Sequence, residues 1–415
     1  MEKTKVFGMA PEQGRWLYIP LGLIVLLCLG TVYSWSIFRK PLETAFSIGA
    51  TESLLPFTVL LVVFAILMPV TGFFIDKYGC RTVTAVGGII TGLGYILSSF
   101  ATDISSLVFT YGIIAGAGVG IAYGVPLAVA ARWFPDQKGL AVGLTVIGFG
   151  LSPLVTAPIA KSLIESYKVS QTFLILGIAF TIIILLISTT FTFPPSDWKP
   201  VTSLSAKSVK MVTRYDDKLL QSSSFYGLWI CYTIGTFVGL SAIGISSPVA
   251  QEIIKLDAGT AAATVSLFAV FNGLGRPLFG WLADKYKPRN AAIINYVLIL
   301  IASILMSSAG EGNIVTYLVA FCLFWLSLGG WLAIAPTATL TLFDPTNYAK
   351  NYGIVFTAYG VGAFFGTIVA GRIRDIFGSY TLAFSVTAVL AIVGIICAWF
   401  LLKRSGNVVS EMDIS

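Results

Sequence analysis

Histidine is absent from all 415 residues, which removes the commonest metal ligand and the side chain that most readily shuttles protons near neutral pH. Charge is scarce as well. Asp, Glu, Lys and Arg make up 11% of the chain, against about 25% in soluble domains. The five cysteines, Cys28, Cys80, Cys231, Cys322 and Cys397, are dispersed, a spacing from which neither a disulfide framework nor a thiolate metal site is expected. No cofactor is implied. No His/Asp/Glu/Cys cluster offers hydrolytic chemistry, and no long polar stretch could form a soluble signalling domain, so an intramembrane enzyme or a membrane sensor is disfavoured.

Apolar length takes the place of charge. Hydrophobic residues make up 56% of the chain, and the mean hydropathy is +0.88. No charge falls between Arg15 and Arg39, Glu52 and Asp76, Asp103 and Arg132, Lys138 and Lys161, Glu311 and Asp344, or Asp375 and Lys403. Each gap exceeds the roughly 20 residues that cross a hydrocarbon core of about 30 Å. Twelve such runs are marked, at 16–38, 53–75, 82–102, 106–131, 139–160, 171–193, 225–250, 258–283, 290–310, 314–342, 352–371 and 380–402. An all-α membrane protein follows, with twelve transmembrane helices in two six-helix halves. The halves are 1–193 and 225–415; between them 194–224 is a polar linker holding Pro194-Pro195 and the cations Lys199, Lys207, Lys210, Arg214 and Lys218. The first apolar run is too long for a signal-peptide core and reads as a retained helix.

Placing the N-terminus inside puts 18 of the 26 basic residues in tails and inner loops and 7 in outer loops. The positive-inside rule then sets both termini and the linker in the cytoplasm of a cell carrying this chain in its plasma membrane. The net charge of +7 is spread over short loops, a distribution that excludes a nucleic-acid surface. The lipid bilayer is the surrounding partner, and a monomer is the expected working unit.

A ten-residue pattern occurs twice. Gly72-Phe73-Phe74-Ile75-Asp76-Lys77-Tyr78-Gly79-Cys80-Arg81 returns 208 residues later as Gly280-Trp281-Leu282-Ala283-Asp284-Lys285-Tyr286-Lys287-Pro288-Arg289. Each copy ends a long apolar run, at equivalent places in the two halves. Such internal duplication is a mark of secondary transporters. The six charges, Asp76, Lys77, Arg81, Asp284, Lys285 and Arg289, are candidates for a gate that holds the inner helix ends together in one state and releases them in another. Glycines in the fourth and eleventh runs, with Pro153, Pro158 and Pro277, supply close helix contacts and local bends for such motion.

With its twelve runs, the pattern Gly-x-x-x-Asp-Lys-Tyr-Gly-x-Arg resembles the loop signature of the major facilitator superfamily; the second copy departs at Lys287-Pro288. Three further motifs narrow the resemblance: Gly30-Thr31-Val32-Tyr33-Ser34-Trp35-Ser36, Arg132-Trp133-Phe134-Pro135-Asp136-Gln137-Lys138-Gly139-Leu140-Ala141 and Asn351-Tyr352-Gly353. They are similar to the oxalate/formate antiporter family and, more distantly, to the monocarboxylate transporters. The resemblance implies a small carboxylate anion as substrate.

Arg276 is the one basic residue well inside a run. It precedes Asp284 by eight residues, roughly 12 Å at 1.5 Å per residue, close to the midplane. No acidic residue lies at that depth. A buried guanidinium without a partner is costly, and a carboxylate would match its bidentate geometry; contact with carbonyls, phenols or water is the structural alternative. Asn272, one turn earlier, shares its face. Tyr123, Phe149 and Tyr359 lie at similar depth, roughly 12–15 Å from the inner boundary by the same rise, and Tyr33 nearer the outer end of its run. The resemblance implies that these four aromatics line the substrate cavity; ordinary helix packing is the other reading of each.

The resemblance also implies that relatives carrying the dicarboxylate oxalate have a lysine in the eleventh helix where Tyr359 stands here. One buried cation matches one negative charge, so lactate, pyruvate, formate or acetate fits better than oxalate. The leading expectation is an alternating-access transporter of small monocarboxylates. An oxalate/formate-type anion exchanger stands second, and export of neutral solutes would leave Arg276 unexplained. No Asp, Glu or His near Arg276 supplies a proton relay, and proton symport and anion exchange both stay open.

Overall fold

Inside a bilayer every backbone N–H and C=O must be satisfied within the protein, and a chain this apolar meets that demand with helices. The computed structural model describes residues 6–195, 198, 219–343 and 348–402; the linker cations Lys199 to Lys218 lie outside the described residues. Among the described residues, nine helical stretches are long and apolar enough to cross a membrane. In three of them the backbone leaves helical geometry at a single residue, Gly79, Lys168 or Lys287, where the chain turns back on itself.

Twelve helices result. These are α1 (Pro11–Phe46), α2 (50–78), α3 (80–98), α4 (Ile104–Trp133), α5 (138–167) and α6 (169–188) in the first half. The second half holds α7 (Ser223–Glu252), α8 (258–286), α9 (288–307), α10 (Ile314–Leu342), α11 (Tyr348–Phe377) and α12 (Thr381–Leu401). The halves meet along two seams, α2 against α11 and α5 against α8.

Uncovered apolar stripes run along several helices, α3, α6, α9 and α12 among them. On α3 the exposed residues are Val86, Ile89, Leu93 and Leu97, and on α6 Ile175, Ile178, Ile182 and Leu186. Their counterparts are Ile294, Val297, Ile301 and Ile304 on α9, and Val389, Ile392, Val393 and Ile396 on α12. Each stripe recurs at three- and four-residue steps, one face of a helix. An uncovered stripe of this size belongs against lipid. Helices α1, α2, α4, α5, α7, α8, α10 and α11 enclose the centre.

The first helix is longer than its apolar run. The expected span 16–38 is part of a continuous helix over 11–46, because the charges that bound the run are neutralised within the protein: Arg39 is fully buried and pairs with Glu43 at 3.0 Å. Tyr33 consequently sits near the middle of α1, deeper than its place in the run implied. Around it α1 tightens into a 3₁₀ turn over Gly30–Ser34. A Cβ on Gly30 would lie 2.4 Å from the carbonyl oxygen of Phe149, so glycine is what allows α1 to press against α5 here.

Helix starts outside the membrane are capped by carboxylates. Asp103 accepts the Ser106 N–H at 2.9 Å, and Asp257 accepts those of Gly259 and Thr260 at 2.9 and 3.0 Å. The Ser106 N–H holds Asp103 below the usual carboxylate range, and the Thr260 hydroxyl does the same for Asp257.

The departure of the second repeat now has a structural setting. Gly79 and Lys287 occupy the same register of the repeat and adopt nearly the same backbone, φ 80°, ψ 160° and φ 72°, ψ 149°. Glycine tolerates that region; a side chain is strained there by about 1–3 kcal/mol. Pro288 follows as the opening residue of α9, where a missing N–H costs nothing. Lys287→Gly is therefore expected to raise the stability of the purified protein by about 1 kcal/mol, and Lys287→Val to lower it. Thermal unfolding in detergent would measure both, and a Lys287→Gly protein that melts earlier would contradict the strain.

Candidate functional site

Helix α8 carries Asn272 and Arg276 one turn apart, both facing the seam with α5. Arg276 is 5% exposed. Its Nη1 donates to the Val146 carbonyl on α5 at 2.6 Å, while Nε and Nη2 are buried without a hydrogen-bond partner. Arg276 takes part in no ion pair among the described residues. The Asn272 Nδ2 donates to the Trp325 carbonyl of α10 at 3.1 Å, which leaves Asn272 Oδ1 buried and unpartnered. Gly150 of α5 makes this possible. A Cβ there would stand 2.6 Å from Asn272 Oδ1 and 3.3 Å from Arg276 Nε.

Aromatic rings wall this polar pair from both halves. The Tyr33 and Tyr359 hydroxyls, on α1 and α11, hydrogen-bond across the interface at 2.9 Å. Phe149 meets Tyr33 and Tyr123 edge to face, each at 5.1 Å between centroids. All six residues expected around the substrate, Arg276, Asn272, Tyr33, Tyr123, Tyr359 and Phe149, are thus buried in one layer of the bundle.

Phe64 of α2 joins that layer and went unrecognised in the sequence. Its ring contacts Tyr123 at 5.0 Å, Phe149 at 5.9 Å and Tyr359 at 5.7 Å. Phe356 stacks on Tyr359 at 5.0 Å and touches Phe64 at 5.6 Å. A lone Phe in an apolar run carries no signal. Phe356 lies three residues before Tyr359, a spacing that places both on one face and was available to sequence reasoning.

The repeated loops lie at the end of the bundle that carries the N-terminus. Asp76 pairs with Arg132, at the end of α4, at 2.7 Å, with the two side chains 69% and 47% exposed. Arg81 Nε donates to the Phe191 carbonyl at 2.9 Å. Lys77 lies over the Phe73 and Tyr78 rings, and Lys285 over Trp281 and Tyr286. Arg289 covers Trp399 at 4.0 Å, and Asp284 is exposed. The six charges therefore do not form one network. The motif beginning at Arg132 gains a partner that its sequence did not disclose: Arg15 grips Asp136 with two bonds of 2.7 and 2.9 Å and the Trp133 carbonyl at 3.1 Å.

At the opposite end, charges tie one half to the other. Glu252 at the end of α7 binds Lys40 of α1 across the halves, and within its own half accepts Arg374 of α11 at 2.6 Å. Asp375 of α11 caps the first turn of α2, accepting the Ala50 and Thr51 N–H groups at 2.7 and 2.9 Å. Arg39 donates to the Gly244 carbonyl of α7 at 3.2 Å.

A bundle of helices around Arg276, a buried cation with no ion pair among the described residues, and with lipid-facing stripes on peripheral helices, is the build of a multi-pass membrane transporter. Residues 21–342 match the family model described as Major Facilitator Superfamily, and the chain belongs to that family. It is 29% identical over 404 residues to an oxalate:formate antiporter of Oxalobacter formigenes, covering 96% of this chain and 94% of the relative. It is 24% identical over 405 residues to monocarboxylate transporter 12 of Homo sapiens, covering 90% of this chain and 78% of that one. Its fold is similar to the crystal structure of a bacterial homologue of the human lysosomal transporter Spinster, with a TM-score of 0.71 at 13% identity over 95% of this chain and 98% of that one.

The exposure of the Asp76–Arg132 pair bounds its contribution to stability at about 1 kcal/mol or less. Asp76→Asn is expected to leave the unfolding midpoint nearly unchanged while slowing transport more than it weakens substrate binding. Parallel melting, binding and uptake measurements check this. Lost binding with unaltered turnover would contradict a gating role.

Proposed function

We propose that this protein moves small monocarboxylates, of the lactate, pyruvate, formate and acetate class, across the plasma membrane by alternating access. One observation carries the reading: a guanidinium near mid-membrane has two unpartnered nitrogens, Nε and Nη2, and no carboxylate paired with it among the described residues. Taking such a charge out of water is costly unless an anion repays it. A substrate carboxylate on Nε and Nη2 would do so in the bidentate geometry that arginine favours. The relatives, an oxalate:formate antiporter and a monocarboxylate transporter, support a small carboxylate as the cargo.

In this reading Arg276 binds the carboxylate, and Asn272 Oδ1 accepts a hydrogen bond from a hydroxyl on the substrate or its water. Tyr33, Tyr123, Tyr359 and Phe149 enclose it. The Tyr33–Tyr359 bond joins the halves across the site, so its making and breaking accompanies their rocking. The halves are 1–193 and 225–415, joined by the linker 194–224, with both termini cytoplasmic by the excess of inner Lys and Arg. The loop charges Asp76, Lys77, Arg81, Asp284, Lys285 and Arg289 then act at the cytoplasmic gate, and Glu252 and Asp375 at the outer one. Without a carboxylate or histidine beside Arg276, a coupling proton would travel with the substrate or through water, as a monomer working alone.

Replacing Arg276 tests this reading. Arg276→Gln and Arg276→Lys are each expected to cut uptake into proteoliposomes more than tenfold without lowering the melting temperature, because an uncompensated buried charge is removed or loses its fork. Near-normal uptake by a folded Arg276→Gln protein would end the assignment.

Similarity to the oxalate:formate antiporter favours a second reading, exchange of a dicarboxylate for a monocarboxylate. Charge separates the two. Tyr359 can donate a hydrogen bond but cannot cancel a charge, so a dianion would bring one negative charge into the cavity uncompensated. Tyr359→Lys is expected to shift preference toward oxalate and away from lactate or formate. Competition binding decides it, and tighter binding of oxalate than of every monocarboxylate by the unaltered protein would promote the exchanger.

A further inference from the structure

A cavity whose lining does not include Arg276 lies at the end of the bundle opposite the repeated loops. Its volume is about 670 Å³. That is the size of sites that hold drug-sized organic molecules, about 300–1,000 Å³, and far larger than an acid of two or three carbons needs. Both halves line it: the last turns of α1 and α5 and the start of α6 from the first, Ser247 and Gln251 of α7 and Ala258 of α8 from the second.

The lining has two characters. Leu42, Phe46, Leu107, Ile164 and Phe173 make an apolar wall, while Lys40, Lys161 and Lys168 are its only charged residues. No carboxylate lines the cavity. Lys161 pairs with Glu165 at 2.8 Å, but that glutamate is 61% exposed, which leaves the bond weak. Lys168 is exposed at the α5–α6 turn and makes no ion pair among the described residues. Lys40 is shared between Glu43 and Glu252. The Glu252 bond is one of the ties that join α1 to α7.

We propose that this cavity binds an amphipathic anion, a carboxylate or phosphate head on an acyl body, and that its head group competes with Glu252 for Lys40. The apolar wall takes the acyl body and the lysines take the head. The cavity lies at helix ends, the depth at which acyl chains meet head groups in a bilayer. A free fatty acid and an anionic phospholipid share this chemistry. An occupant that draws Lys40 away from Glu252 loosens the closure of this end, so the cavity couples an amphiphile to the equilibrium between the halves. The site is independent of the carboxylate reading at Arg276.

Equilibrium binding of radiolabelled decanoate to the full chain in phosphatidylcholine nanodiscs tests this. Saturable binding of one decanoate per chain is expected, with decanol competing at least tenfold more weakly. The double variant Lys161→Gln/Lys168→Gln should raise Kd at least tenfold, and Ser170→Trp, which fills the cavity with the lysines intact, should abolish binding. Arg276→Gln should bind decanoate as the parent does. Glu252→Gln, which releases Lys40, should bind it at least threefold more tightly. Adding phosphatidylglycerol to the discs identifies the source: displacement of decanoate assigns the bilayer lipid, and retention assigns the free acid. The site is overturned by the lack of saturable binding, by equal competition from decanol, or by loss of binding in Arg276→Gln but not in the lysine pair. Unchanged affinity in Glu252→Gln overturns the competition for Lys40.

Discussion

A guanidinium can be held in the middle of a hydrocarbon layer only if the surrounding protein stands in for water. Around Arg276 that substitution is incomplete. The Val146 carbonyl accepts from one nitrogen, and Nε and Nη2 are buried without a hydrogen-bond partner, so part of the guanidinium's lost hydration is not replaced. Gly150 is small where Asn272 and Arg276 crowd it, and α1 narrows to a 3₁₀ turn where Tyr33 faces α11.

The two ends of the bundle are held differently. At the N-terminal end the ion pairs and capped carbonyls run within one half: Arg15 to Asp136, Asp76 to Arg132, Arg81 to Phe191. At the other end bonds also run between halves, from Glu252 to Lys40, from Asp375 to the start of α2 and from Arg39 to the Gly244 carbonyl. Bonds of the first kind let a half move as a body, and bonds of the second kind must break before the halves part. Glu252 is the most exposed to this demand, since it serves cations on α1 and α11 at once.

The fold could be read from the chain because charge is so sparse. Gaps between charges located the helices, and Arg276, the cation well inside an apolar run, pointed to the candidate site. What escaped was hidden for two physical reasons. Neutralised charges do not end a helix, so Arg39, Lys40 and Glu43 lie inside α1 although they closed its apolar run. Contacts made by backbone atoms or by unremarkable rings have no sequence mark: the Val146 carbonyl that holds Arg276 could belong to any residue, and Phe64 is one of 29 phenylalanines. The Arg132 motif was legible as a motif, but its partner Arg15 lies 121 residues from Asp136 and no spacing rule connects them.

The repeat that betrays the duplication also breaks its symmetry. Gly79 and Lys287 mark the same elbow in the two halves, but glycine can swing through left-handed and right-handed backbone alike, whereas a lysine followed by proline is confined to a narrow range. The first half thus turns between its second and third helices at no conformational cost, and the second half does so against the preference of its residue. Two arms of one ancestry have diverged in their joints, sharing an elbow geometry that one half reaches with the residue suited to it and the other only under strain.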